Sequence, residues 1–282
     1  MDRFNTDVVL LYSGGSDSTL ASVLLLEKFK NLRLITFSRF GLSNINNSSL
    51  NAEKLKNKYP GRVTHEIINI DKIFKFISYE RYIKNLYKYG FFNLSTCGLC
   101  KLAMHIRAAI YCIDNRIEYI ADGANKAMYM FPDQQNGYID MLKKFYSKLK
   151  IKYENPVFDF ESPPDIDFVD KFRLDGLPGL EKEHNAKFYE TKEKTTEHKL
   201  YELGLMPTDR IKGTDIDRKM QARCFQFVLF NIWLYWYYLP FKSTDQYFDD
   251  VISFYSDKMN IAFSLVEEYS ERKEYSKIYK YL

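Results

Sequence analysis

The stretch "LLYSGGSDSTL", Leu10 to Leu20, sets a glycine pair among three serines and an aspartate directly after an apolar run. The run Asp7–Tyr12 reads as a strand, and Ser16–Lys30 reads as the helix that follows it. Gly14-Gly15 can adopt positive φ and lets a ligand approach the backbone closely. A helix starting near Ser16 points free N–H groups and the positive end of its dipole at the same spot. Ser13, Ser16 and Ser18 add hydroxyl donors, so the loop suits a phosphate. It lacks the Gly-Lys-Ser/Thr ending of a Walker A loop and the G-x-G-x-x-G of a dinucleotide fingerprint.

Outward from this loop the chain alternates short strands with helices. Leu32–Ser38 is a second strand, and Ser48–Tyr59 a helix stopped by Pro60-Gly61. Val63–Ile70 is a third strand, followed by a helix Lys72–Tyr89 that Gly90 ends. A helix follows Ser95–Lys101 and runs to about Asp114. Ile117–Ala121 is a fourth strand, Gly137–Leu149 a helix, and Ile151–Phe158 a strand interrupted by Pro156. This pattern predicts an α/β fold: a doubly wound, mostly parallel five-stranded sheet over 1–158. Residues 159–194, rich in Pro, Gly and charge, read as a linker or lid. The remainder, 195–282, reads as a C-terminal helical extension, with long helices over Ile216–Leu239 and Ser256–Leu282.

The bulk numbers agree with a globular chain. Of 282 residues, 46% are hydrophobic and 17% aromatic, enough for a packed core. The net charge of +4 permits a nucleic-acid partner without demanding one. Four cysteines are too few for a disulfide scaffold at this length. The N-terminus lacks the basic start and apolar core of a secretory signal. The apolar segment Cys224–Leu239 is shorter than a membrane span and contains Gln226 and Asn231. It reads as a buried helix or a homodimer contact, and the expected location is the cytoplasm.

Ser13-Gly14-Gly15-x-Asp17-Ser18 after a first strand resembles the PP-loop signature of the ATP pyrophosphatase superfamily. This is the N-type, adenine nucleotide alpha-hydrolase-like group of HUP folds. The resemblance covers roughly Asp7 to Phe158. It implies that Ser13, Gly14, Gly15, Ser16 and Ser18 cradle the β- and γ-phosphates of ATP. It implies that Asp17 orients the loop or helps hold Mg²⁺. Thr36, Phe37 and Ser38 would meet adenine, and Gly123, Ala124 and Asn125 would complete the site. The implied chemistry is attack of a substrate oxygen on the α-phosphorus, giving an adenylate and pyrophosphate. A nitrogen or sulfur nucleophile then displaces AMP. Lys101, Arg107 and Lys126 are cationic candidates by position, though each reads first as a solvated surface residue.

The cysteines separate the branches. Cys97-Gly98-Leu99-Cys100 lies at a helix N-terminus, where the dipole favours thiolates. Cys112 would lie ~18 Å further along the same helix and reads as core. Cys97, Cys100 and the distant Cys224 resemble the ligand order of iron–sulfur tRNA thiolases. There three cysteines hold a [4Fe–4S] cluster used in sulfur transfer. A zinc site, a redox pair and buried thiols stay open beside it. A rival resemblance, to 7-cyano-7-deazaguanine synthase, is carried by Phe131, Pro132 and Asp133; that branch forms an amide or nitrile on a purine-like base. A third reading is a non-catalytic nucleotide-binding module. The sequence leaves the acceptor open, with an RNA base or a purine-like small molecule as the expectations; the basic stretches Leu142–Lys152 and Arg210–Arg223 read as solvated helix faces or as contacts for an RNA backbone.

Overall fold

A computed structural model describes residues 3–161, 192–211 and 214–282. Most of the expected linker, 159–194, lies outside the described residues.

The centre is a five-stranded parallel sheet. β1 (Asp7–Leu11) pairs with β2 (Asn31–Ser38) on one side and β5 (Tyr119–Asp122) on the other. β4 (Val63–Asn69) extends the sheet beyond β2, and β6 (Lys152–Glu154) extends it beyond β5. The order is β4-β2-β1-β5-β6. Successive strands are added on one side of β1 and then, from β5, on the other, and ligands bind at such switch points beyond the carboxyl ends of the strands. The doubly wound parallel fold expected from the alternation is thus present.

β1 is buried on both faces, as a central parallel strand must be. Val9 and Leu11 face one core, and Val8, Leu10 and Tyr12 face the other, as the two-residue period of a strand requires. The second core is closed by α1 (Ser16–Leu26) and α2 (Ser48–Lys58), together with Leu200 of α7 (Thr196–Glu202). The first core is larger. It joins α3 (Asp71–Tyr79), α5 (Thr96–Asn115) and α6 (Asn136–Lys148) to the C-terminal helices in one apolar cluster. α5 is long and apolar enough to cross a membrane, yet its Leu99, Leu102, Ile106 and Ile110 are fully buried in this core.

Three expected helices are cut differently. Lys72–Tyr89 is two helices, α3 and α4 (Tyr82–Tyr89), separated at Arg81, whose φ is +56°. The break has a physical cause. The buried Lys258 ammonium donates to the carbonyls of Ile77 (2.6 Å) and Glu80 (3.0 Å), capturing groups that a continuing helix would use. Ile216–Leu239 is likewise interrupted. α8 (Asp215–Met220) ends, and β7 (Arg223–Cys224) pairs antiparallel with β3 (Leu42–Ser43). α9 (Phe225–Ile232) then begins and continues as a π-helical segment, Trp233–Tyr238. The last helix, α10, covers Thr244–Arg272 rather than Ser256–Leu282. Ser243 and Gln246 form a capping box at its start, and Lys273, with φ +50°, ends it. The strand expected over Ile151–Phe158 is cut to β6.

Candidate functional site

The loop after β1 occupies the switch point. Gly14 has a φ of +86°, and its carbonyl accepts from the buried Asn51 side chain at 2.8 Å. Ser13 Oγ accepts from the Gly15 N–H at 3.2 Å and lies 3.1 Å from Ser18 Oγ. Ser18 Oγ in turn donates to the Gly15 carbonyl at 3.2 Å. These bonds fold the loop into a cup over the start of α1. Ser13, Gly15, Ser16, Asp17 and Ser18 line a cavity of about 490 Å³, with Lys101, Gly123 and Gln134 opposite. A Cβ on Gly123 would stand 2.9 Å from the Ser18 nitrogen, so glycine lets the β5 loop close against the α1 N-terminus. A rim of N–H groups, hydroxyls and one ammonium is suited to a polyphosphate.

C-terminal residues complete this cavity. Thr196, Glu197, Asp217, Gln221 and Phe227 all line it. Thr196 Oγ1 donates to Asp17 Oδ1 at 2.6 Å, which fixes the aspartate's rotamer. Phe227 stacks on Phe131, with ring centroids 5.2 Å apart and planes at 21°. Sequence reasoning placed none of these five at the loop. Their separation from Ser13 by more than half the chain gives no local signal.

Beneath the cavity lies a buried charge network. Lys101 Nζ is 2.8 Å from Asp122 Oδ2, with side-chain exposures of 15% and 0%. Lys101 is therefore not the solvated residue that position suggested. Its place on the inner face of α5, beside the end of β5, buries the stem and aims the ammonium at the cavity. Asp122 Oδ1 also accepts from Ala124 N–H (3.0 Å) and Asn155 Nδ2 (2.5 Å). Burial would raise the Asp122 carboxyl, but Lys101 and His105 beside it hold it far below the ordinary carboxylate range. His105, fully buried, places Nε2 3.4 Å from Asp122 Oδ2 and Nδ1 2.8 Å from the Tyr146 hydroxyl. Burial pushes its pKa down to about 4, with Lys101 helping and Asp122 opposing. Arg107 is half-buried on the same helix, and Lys126 is exposed and ion-paired with Asp159 at 2.8 Å.

The other expected site residues are placed less directly. Thr36 is buried, its hydroxyl donating to the Tyr12 carbonyl at 2.8 Å, and Phe37 points into the larger core. Neither they nor Ser38 line the cavity. Asn125 is buried, with its Oδ1 accepting from Ala127 N–H at 2.9 Å. Its Nδ2 is buried with no hydrogen-bond partner among the described residues, and Asn125 does not line the cavity. Asp133 accepts from Gln134 Nε2 at 2.7 Å.

Cys97 and Cys100 stand in the first turn of α5, and Cys224 precedes α9. Cys100 and Cys224 meet at Arg39, just beyond β2. Its Nε donates to Cys100 Sγ (2.6 Å) and its Nη2 to Cys224 Sγ (3.3 Å). The same guanidinium donates to the Phe40 carbonyl at 2.7 Å and sits 4.5 Å from the Phe74 ring centre. Arg39 is 5% exposed. At the C-x-x-C pair, burial opposes the thiolate that the helix N-terminus favours. Burial pushes Cys97 well up and Cys100 up to about 11, against the pull of Arg39. The donor chemistry of three thiols suits a metal or cluster, but their arrangement does not. Among the described residues no three His, Cys, Asp or Glu side chains are grouped to hold a metal ion, and Arg39 stands between two of the thiols. Cys112, by contrast, is buried core as expected.

No family model and no curated protein matches the sequence. Solved structures do. A predicted subunit of tRNA methyltransferase from Methanocaldococcus jannaschii is 19% identical, with a TM-score of 0.38; the match covers 78% of this chain and 96% of that one. The U34-tRNA thiolase NcsA from Methanococcus maripaludis, solved with its [4Fe-4S] cluster, is 14% identical, with a TM-score of 0.37; the match covers 93% of this chain and 74% of that one. At TM-scores this low neither likeness carries a functional argument. The chain has the doubly wound parallel fold that the resemblance to the PP-loop ATP pyrophosphatases implied, and the Ser13–Ser18 loop lies at the carboxyl end of its central strand.

Proposed function

We propose that this protein binds ATP·Mg²⁺ in the cup formed by Ser13–Ser18 and uses it to adenylate an oxygen of an acceptor, releasing pyrophosphate. AMP is then displaced by a sulfur nucleophile. The observation that carries this reading is the cavity itself. Loop N–H groups and the hydroxyls of Ser13, Ser16 and Ser18 face it from one side, and Lys101 faces it from the other. Donors preset around a phosphate stabilise the charge that builds on departing pyrophosphate.

The acceptor is proposed to be planar, an RNA base or a purine-like molecule. The Phe131–Phe227 stack at the cavity offers an aromatic face for it. Sulfur in place of nitrogen is favoured by the convergence of Cys100 and Cys224 on one guanidinium beside Cys97.

The deciding experiment is pyrophosphate release from ATP across candidate acceptors, with Asp17→Asn as control. The reading expects release that falls at least tenfold in the variant. Release that is equal in both would remove Asp17 and its loop from the reaction. Iron, acid-labile sulfide and zinc measured on anaerobically prepared protein accompany it. Iron with sulfide would restore the cluster expected from the cysteine order, and zinc alone would favour the nitrogen branch.

A further inference from the structure

The segment Met220–Cys224 touches both halves of the site. A Cβ on Gly14 would stand 2.5 Å from the Met220 carbonyl oxygen, so the backbone of Met220 rests on the phosphate loop. A Cβ on Gly15 would stand 2.8 Å from Gln221 Oε1, so the carboxamide lies over the second glycine. Gln221 also lines the cavity, and its side chain has no hydrogen-bond partner among the described residues. Its own carbonyl is held by Asn47 Nδ2 at 3.4 Å. Gln221 and Cys224 are both extended, so three peptide units reach about 10 Å. At the far end β7 pairs with β3, Phe225 N–H donates to the Gly41 carbonyl at 3.0 Å, and Cys224 Sγ accepts from Arg39.

From this continuity we infer that Gln221 is a positioning residue, one that contacts the nucleotide's phosphates and carries their presence to Cys224. The inference rests on the ATP reading above. A phosphate oxygen entering over Gly15 and Ser16 meets the Gln221 carboxamide, whose Nε2 donates to it. The bond fixes the Gln221 side chain and its extended backbone. The four-residue strap Gln221–Cys224 then presents Cys224 to Arg39 and Cys100 in one arrangement. Without nucleotide, the strap is held at its ends, by Asn47 on the Gln221 carbonyl and by the β3 pairing and Arg39 at Cys224, and the Gln221 side chain is not fixed. The thiol group is thereby set in place when there is ATP to activate an acceptor.

Backbone hydrogen exchange of the full chain tests this, with Mg²⁺ and α,β-methylene-ATP as the probe. In the wild type, saturating nucleotide should slow exchange in the 14–19 amides and also in the 221–225 amides. In Gln221→Ala the loop response should persist and the strap response should vanish. Gln221→Glu keeps the side-chain volume but faces phosphate with a carboxylate, and should weaken nucleotide binding roughly tenfold. Protection of the loop without the strap in the wild type would overturn the inference and leave the ATP reading standing. Protection of neither would overturn the ATP reading. A strap response that survives in Gln221→Ala, or an unchanged affinity in Gln221→Glu, would remove Gln221 as the link.

Discussion

Replacing Asp122 by asparagine removes the carboxylate that the Lys101 ammonium faces at 2.8 Å. Asp122 is fully buried, and the Lys101 side chain is 15% exposed. Removing one partner of a buried pair leaves the other charge uncompensated, which costs about 3–5 kcal/mol. An asparagine oxygen could still accept from Ala124 N–H and Asn155, so those two bonds do not add to the loss. Lys101→Met should cost less, about 1–3 kcal/mol. The Asp122 carboxylate keeps both donors, and without the Lys101 charge His105 protonates more readily to replace it. The pair should therefore show a coupling energy above about 1 kcal/mol in a double-mutant cycle. Urea unfolding at pH 7 measures all four corners. The pH dependence gives a second check. The folded pKa of Asp122 is depressed, so its stabilisation is present above the unfolded value of about 3.9 and is lost as pH falls further. The gap between wild type and Asp122→Asn should be flat from about pH 5 to 8 and should close below about pH 4. A loss under about 1 kcal/mol, or a gap that widens in acid, would refute the argument.

Two further outcomes follow from the same geometry. His105 is neutral in the fold with a pKa pushed down to about 4, so the unfolded chain binds the extra proton between there and about 6.5. Stability should fall by about 3 kcal/mol as pH drops through that window, seen as a shift in urea midpoint, and His105→Gln should flatten it. Gly14→Ala meets both a positive φ and the backbone of Met220 and Ser48, and should cost about 2–4 kcal/mol and abolish nucleotide binding. Gly61→Ala, also at positive φ but with nothing within 4 Å, should cost about 1 kcal/mol, which separates crowding from backbone strain in thermal melts.

What could be read from the sequence was local. The apolar run into Ser13–Ser18 announced β1, its turn and α1 because all the forces that shape them act within a dozen residues. Strand–helix alternation gave the sheet for the same reason. The failures are all long-range. Nothing near Glu80 says that a lysine late in the chain will take its carbonyl. Nothing near Gln221 says that a glycine loop two hundred residues earlier will pack on Met220, where the helix stops. Arg39 carried a faint signal, a charge at the carboxyl end of a strand in an otherwise apolar stretch. The positions of Thr196, Gln221 and Phe227 carried none. Lys101 was misread because its neighbours in sequence say little about which face of α5 is covered.

The larger core joins α5 and α6 to α10, whose last buried residue, Tyr269, hydrogen-bonds Asp114 across the interface. The ribosome therefore finishes the sheet at Glu154 long before it makes the helix that covers one side of it. At roughly 5–20 residues per second, that interval is on the order of ten seconds. Throughout it the nascent chain presents Leu102, Ile106, Phe145 and their neighbours without a cover. Shortened chains that stop before α10 should meet the same fate permanently, appearing in inclusion bodies or bound to chaperones. The phosphate loop, although it is made first, would be among the last parts of the protein to become useful.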